Sequence, residues 1–146
     1  MPTAGKLIGA ICFAALAYFI TDLIKPLLSE GTQVDWFSPV NGLIGLSMGW
    51  SIMGRGAGHT YRQAIGYGMT TMAATVFWGL IAWSGYEMLK RSTRLRYDGA
   101  VEALQDMALV ALEYAQMIAV QEVVIPAIIG ALFFSWLTEF FARRWS

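Results

Sequence analysis

The stretch QAIGYGMTTMAATVFWGLIAWSGY, residues 63–86, decides the fold. It lies between Arg62 and Glu87, and its 24 residues include no Asp, Glu, Lys or Arg. A helix needs about 20 mainly apolar residues to cross the ~30 Å hydrocarbon core of a bilayer. Three further charge-free runs, 7–21, 36–54 and 123–138, repeat the pattern. Together they predict an all-α integral membrane protein.

Composition agrees. Hydrophobic residues make up 57% of the 146-residue chain and charged residues 14%, against about 25% charged in a soluble domain. Mean hydropathy is +0.54. The length suits one compact unit. Ten basic residues balance ten acidic ones, which argues against nucleic acid as a partner, since that needs a concentrated basic face. The single cysteine, Cys12, cannot form an intrachain disulfide or a C-x-x-C pair. With one histidine, His59, it is also too little for a common protein-only zinc or haem site. Metal ligands and catalytic residues are therefore both expected to be none.

The runs divide the chain into four expected spans, about 6–24, 38–54, 62–89 and 123–141. Lys6 and the apolar run after it have the look of a secretory leader, but no small-x-small cleavage site follows, so a retained helix is expected. Pro26 supports its end, and Asp22 and Lys25, three apart, can pair. Residues 26–37 read as a loop, with turn chemistry at Ser29-Glu30-Gly31-Thr32. Trp36 and Phe37 sit where an aromatic belt belongs. Ser38 is placed to cap the second helix, with Pro39 at its first position. Pro126 is expected in the first turn of the last span, where it is tolerated. Residues 98–122 carry Glu102, Gln105, Asp106, Glu113 and Gln116 mostly on one stripe. They predict one amphipathic helix at the interface rather than a fifth span.

Gly5-x-x-x-Gly9 and Gly42, Gly45 and Gly49 put small residues on one face of the first two helices. Such faces let backbones approach closely in lipid, either inside the bundle or against a partner. No ionisable residue falls at mid-span, because Asp22, Glu87 and Glu139 all lie near span ends. Proton-coupled transporters usually carry such groups at depth. Thr70, Thr71, Thr75, Ser47 and Ser51 are expected to bond within their own helix or to a neighbour. Lys90, Arg91, Arg94 and Arg96 form a basic cluster able to reach lipid phosphates. Trp36, Trp83, Tyr86, Trp136 and Trp145 fall near predicted interfaces. No cofactor is required, although the aromatic residues suit contacts with lipid, quinone or pigment. The positive-inside rule ties: Lys6, Arg55, Arg62, Arg143 and Arg144 stand against Lys25, Lys90, Arg91, Arg94 and Arg96. The acidic loop with Glu30 and Asp35, and the acid-free connector 55–62, favour both termini in the cytoplasm. The cluster 90–96 opposes this.

Several segments, in order, resemble the TrgA family of small bacterial membrane proteins. They are Met1-Pro2-Thr3-Ala4, Leu23-Ile24-Lys25-Pro26-Leu27-Leu28, Glu30-Gly31-Thr32 and Trp36-Phe37-Ser38-Pro39-Val40-Asn41. They continue with Ser84-Gly85-Tyr86-Glu87-Met88-Leu89, Tyr97-Asp98-Gly99, Val101-Glu102-Ala103-Leu104 and Ala142-Arg143-Arg144-Trp145. The resemblance implies a bacterial inner-membrane protein linked to tellurite resistance. It brings no catalytic residues.

Two functions then compete. The first is a non-enzymatic accessory or stabilising subunit of a larger respiratory or photosynthetic membrane complex, with lipids and other subunits as partners. The second is a homo-oligomeric channel or exporter for tellurite or a related oxyanion. Its best local support is Arg55, His59 and Arg62 beside flexible glycines, since guanidinium and backbone N–H groups bind oxyanions.

Overall fold

The computed structural model describes residues 2–28, 35–94 and 97–145, with side chains from residue 4 onward. The expected turn at Ser29–Thr32, the side chain of Arg96, and the Met1–Thr3 and Glu30–Thr32 pieces of the resemblance lie outside the described side chains.

No strand occurs among the described residues. Helix α1 spans Pro2–Ile24 and runs into a 3-10 turn, Lys25–Leu27, containing Pro26. Helix α2 spans Phe37–Met48. It is prolonged by a π-helical turn, Gly49–Met53, and a last helical turn, Gly54–Gly56. Helices α3 (Tyr61–Ser92), α4 (Ala100–Ile118) and α5 (Gln121–Arg144) complete the fold. Each overlaps the element expected at its place. Three segments are long and apolar enough to cross a membrane: Ala4–Leu27, Tyr61–Ser92 and Gln121–Arg144. The expected span at 38–54 is split by the π turn, although the backbone stays helical through Gly49 and Gly54. The outer surface is apolar, with Ile11, Phe77, Ile129 and Phe133 all more than half exposed.

Glycine sets the helix spacing. A Cβ on Gly45 would lie 2.5 Å from the Phe13 carbonyl oxygen and 2.6 Å from Ala17 Cβ. A Cβ on Gly49 would run into the backbone of Gly9 and Ala10, and one on Gly5 would lie 2.9 Å from Ala57 Cβ. Gly5, Gly9, Gly45 and Gly49 therefore face other helices of the same chain, which is the packing alternative for small-residue faces. Gly42 has more room, with Tyr18 at 3.7 Å. Across the bundle, Gly130 meets Leu16 and Gly68 meets Ser135. The core joins Phe13, Leu16 and Ile20 of α1 to Met53, Ala64, Met72, Val123 and Ala131.

Gly5 also faces Ala142, so α5 runs antiparallel to α1, and the start of α1 and the end of α5 lie at one end of the bundle, here the terminal end. Helix α3 ends and α5 begins at the opposite, far end. Helix α4 joins these two points and packs on α3, with Asp106 at Arg91 and Met107 beside Gly85.

Hydroxyl groups within the spans turn inward on their own helices. Thr70, Thr71, Thr75 and Ser47 donate to the carbonyls of Gly66, Tyr67, Thr71 and Leu43. The Asp22–Lys25 pair forms, at 2.7 Å. Two local expectations are corrected. Ser38 does not cap α2; its hydroxyl donates to Asp22 Oδ1 at 2.6 Å, and the N-cap is Trp36, without a side-chain bond. The helix starts at Phe37, so Ser38 and Pro39 fall at its second and third positions, and the Ser38 hydroxyl is left to make a charge-assisted bond to the carboxylate. Pro126 lies one turn into α5, because the helix starts at Gln121.

Candidate ligand cavity at the far end

One face of α3 builds most of the site. Met72, Thr75, Val76, Gly79, Leu80, Trp83, Glu87 and Lys90 recur every three to four residues, the spacing of a single helical stripe. Ala17, Ile20, Thr21 and Ile24 supply the matching stripe of α1, Phe37 and Asn41 come from α2, and Tyr114, Met117 and Ile118 from α4. The helices line a partly open cavity of about 110 Å³.

Its walls are mostly apolar, and its depth holds a neutral polar string. Trp83 Nε1 donates to Asn41 Oδ1 at 2.9 Å, and Asn41 Nδ2 donates to Thr21 Oγ1 at 3.1 Å. The Thr21 hydroxyl donates to the Ala17 carbonyl at 2.6 Å. Three helices are tied together, and the indole is held as a wall. Phe37 packs on that indole with ring centroids 4.5 Å apart, and Tyr86 meets it edge-on at 5.9 Å. At the mouth, burial pushes the Tyr114 phenol up, the charge of Glu87 adds to this and Arg91 opposes it. The phenol therefore keeps its proton at neutral pH.

Helix α4 is pinned over the cavity by charge. Arg91 Nε lies 3.2 Å from Glu87 Oε1, and Arg91 Nη1 lies 3.0 Å from Asp106 Oδ2. The Tyr97 hydroxyl also donates to Asp106. Arg91, read from sequence with the lipid-phosphate cluster, thus binds protein carboxylates instead. Lys90 and Arg94 are exposed.

The residues read as an oxyanion cluster are at the terminal end. Arg55, His59 and Arg62 are all exposed, and no hydrogen bond or ion pair joins their side chains among the described residues. The connector is held by α5 instead. The fully buried Glu139 accepts the Gly58 backbone N–H at 2.8 Å and faces Arg143 Nε at 3.0 Å. Arg143 donates to the His59 carbonyl at 2.6 Å and covers the Tyr61 ring. Gly58 takes a φ of 91°, open to glycine at little cost.

Sequence reasoning placed Trp83 in a belt and did not single out Asn41, Thr21 or Tyr114. A signal existed for one of them: Asn41 is the only asparagine in the chain and stands in a charge-free run. No group of three or more metal-ligating side chains occurs among the described residues. No protein-family model, curated protein or solved structure matches the chain.

Proposed function

We propose that this chain is a four-span inner-membrane protein that acts by binding rather than catalysis, as a small accessory subunit of a larger membrane complex. The observation that carries this is the cavity: an apolar hollow with a fixed neutral polar string at its depth has the make-up of a small-molecule site.

The fourth span is α2 with its extensions. Residues 37–56 form a continuous helical rod, about 30 Å long at 1.5 Å per residue. Helix α4 is the interfacial element. Its outward surface carries an apolar sector, Val101, Leu104 and Leu112, beside a mostly polar one, Gln105, Glu113 and Gln116, which Leu109 interrupts. That division suits a helix lying between lipid and water. Both termini share one side, which we place in the cytoplasm. The TrgA resemblance supplies the link to tellurite tolerance, which in this reading is indirect, through the host complex.

Native mass spectrometry after mild detergent extraction from the cell's own membranes tests the reading. Co-purification with a larger complex in fixed stoichiometry is expected. A clean homo-oligomer without partners would overturn it and favour the channel or exporter.

A further inference from the structure

We propose that the far-end cavity holds the ring of a neutral, carbonyl-bearing amphiphile of the quinone class, whose apolar tail runs into the bilayer. The inference deepens the binding role above and rests on it.

Size comes first. About 110 Å³ of space, at 10–15 Å³ per water-sized occupant, accommodates roughly ten heavy atoms. That fits one substituted ring and not a two-chain lipid. Hydrogen-bond valence comes second. Asn41 spends its oxygen on Trp83 Nε1 and one amide hydrogen on Thr21 Oγ1. Its second amide hydrogen is left to donate. Lys90 and Tyr114 place further donors at the mouth. Donors at both poles call for a ligand that accepts at both poles. Lys90 follows Trp83 by seven residues, about 10 Å along the helix. Two opposed ring carbonyls, each with a hydrogen bond of about 2.9 Å, span a similar length.

Charge comes third. Glu87 shares the mouth with Lys90, so an anionic head would face a carboxylate as well as an ammonium. A neutral head avoids that repulsion. A second hollow of about 300 Å³, lined by Trp36, Val40 and Ala82, shares Trp83 and Tyr86 with the first, and the tail is assigned to it.

The test uses the full chain in detergent micelles and a benzoquinone with a ten-carbon tail as probe. Saturable quenching of tryptophan fluorescence is expected, and Trp83→Phe should remove the saturable part. Asn41→Leu should weaken binding about tenfold, by loss of one buried hydrogen bond. Gly79→Leu should abolish it by filling the hollow. A Cβ at Gly79 meets only Asn41 Oδ1, at 3.5 Å, so the helix can carry the larger side chain, and far-UV ellipticity checks that it does. Saturable binding of laurate with none of the quinone would overturn the ligand class and leave the cavity as a binding site. Binding of neither probe, or quenching unchanged in Gly79→Leu, would overturn the proposal whatever the mass spectrometry finds about partners.

Discussion

Gly45→Ala tests the packing that shapes the bundle. The added Cβ would lie 2.5 Å from the Phe13 carbonyl oxygen, where ordinary contact begins at 3.4 Å. Both nearest groups, this carbonyl and Ala17 Cβ, are rigidly attached to the α1 backbone, so no rotamer change relieves the clash. Helices α1 and α2 must part by about 0.9 Å. A gap of 0.5–1 Å forfeits a quarter to a half of each contact's attraction. Over about 40 contacts at 0.1–0.2 kcal/mol each, the loss is about 2 kcal/mol. Alanine recovers up to about 1 kcal/mol of helix propensity, which leaves a net loss of about 1–2 kcal/mol. The same substitution reverses sign elsewhere. Gly66 has nothing within 4 Å of its added Cβ, so Gly66→Ala should gain about 0.5–1 kcal/mol. Gly42→Ala, with Tyr18 at 3.7 Å, should be neutral or slightly stabilising. Unfolding by added SDS in dodecylmaltoside micelles, followed by far-UV ellipticity, gives the order. If Gly45→Ala were as stable as Gly66→Ala, the close α1–α2 contact would be refuted.

Three further outcomes are expected. Glu139→Ala should cost about 1–2 kcal/mol in the same titration and raise hydrogen exchange at residues 57–60, because it removes the acceptor of the Gly58 N–H and the partner of Arg143. Arg143→Ala should cost more, about 3 kcal/mol, because it leaves the fully buried Glu139 carboxylate without its counter-charge; no loss would argue against Glu139 as the anchor. Arg91→Met should speed hydrogen exchange in α4 while α1 and α2 stay protected, and uniform exchange would contradict a separately pinned α4. Cysteines at Asp35 and His59, in a background without Cys12, should label from opposite sides of sealed vesicles if α2 crosses; same-side labelling would refute the four-span reading.

What the sequence made legible was what repeats along one helix. Charge-free runs located α1, α2, α3 and α5, amphipathic spacing located α4, and spacing alone found the Asp22–Lys25 pair. The i, i+4 pair of Glu139 and Arg143 was equally readable, but its burial was not, because that depends on Gly58 arriving from another segment. The cavity was hidden for the same reason. Its α3 stripe, Met72 through Lys90, is indistinguishable in sequence from a core face. Only the rotation of α2, which brings Asn41 to Trp83, turns that stripe into a site. Ser38 makes the point in reverse. Its position beside Pro39 satisfies every local rule for a cap, yet its hydroxyl goes to Asp22, sixteen residues away. In a bundle whose spans carry so few polar groups, each one has few partners to choose from. Because α2 begins at Phe37, Ser38 is inside the helix rather than at its cap, and its O–H donates to the charged acceptor on the neighbouring helix. Polar residues at the ends of such spans therefore report tertiary contacts before they report helix boundaries, and the lone asparagine of a charge-free run is where a site should be sought first.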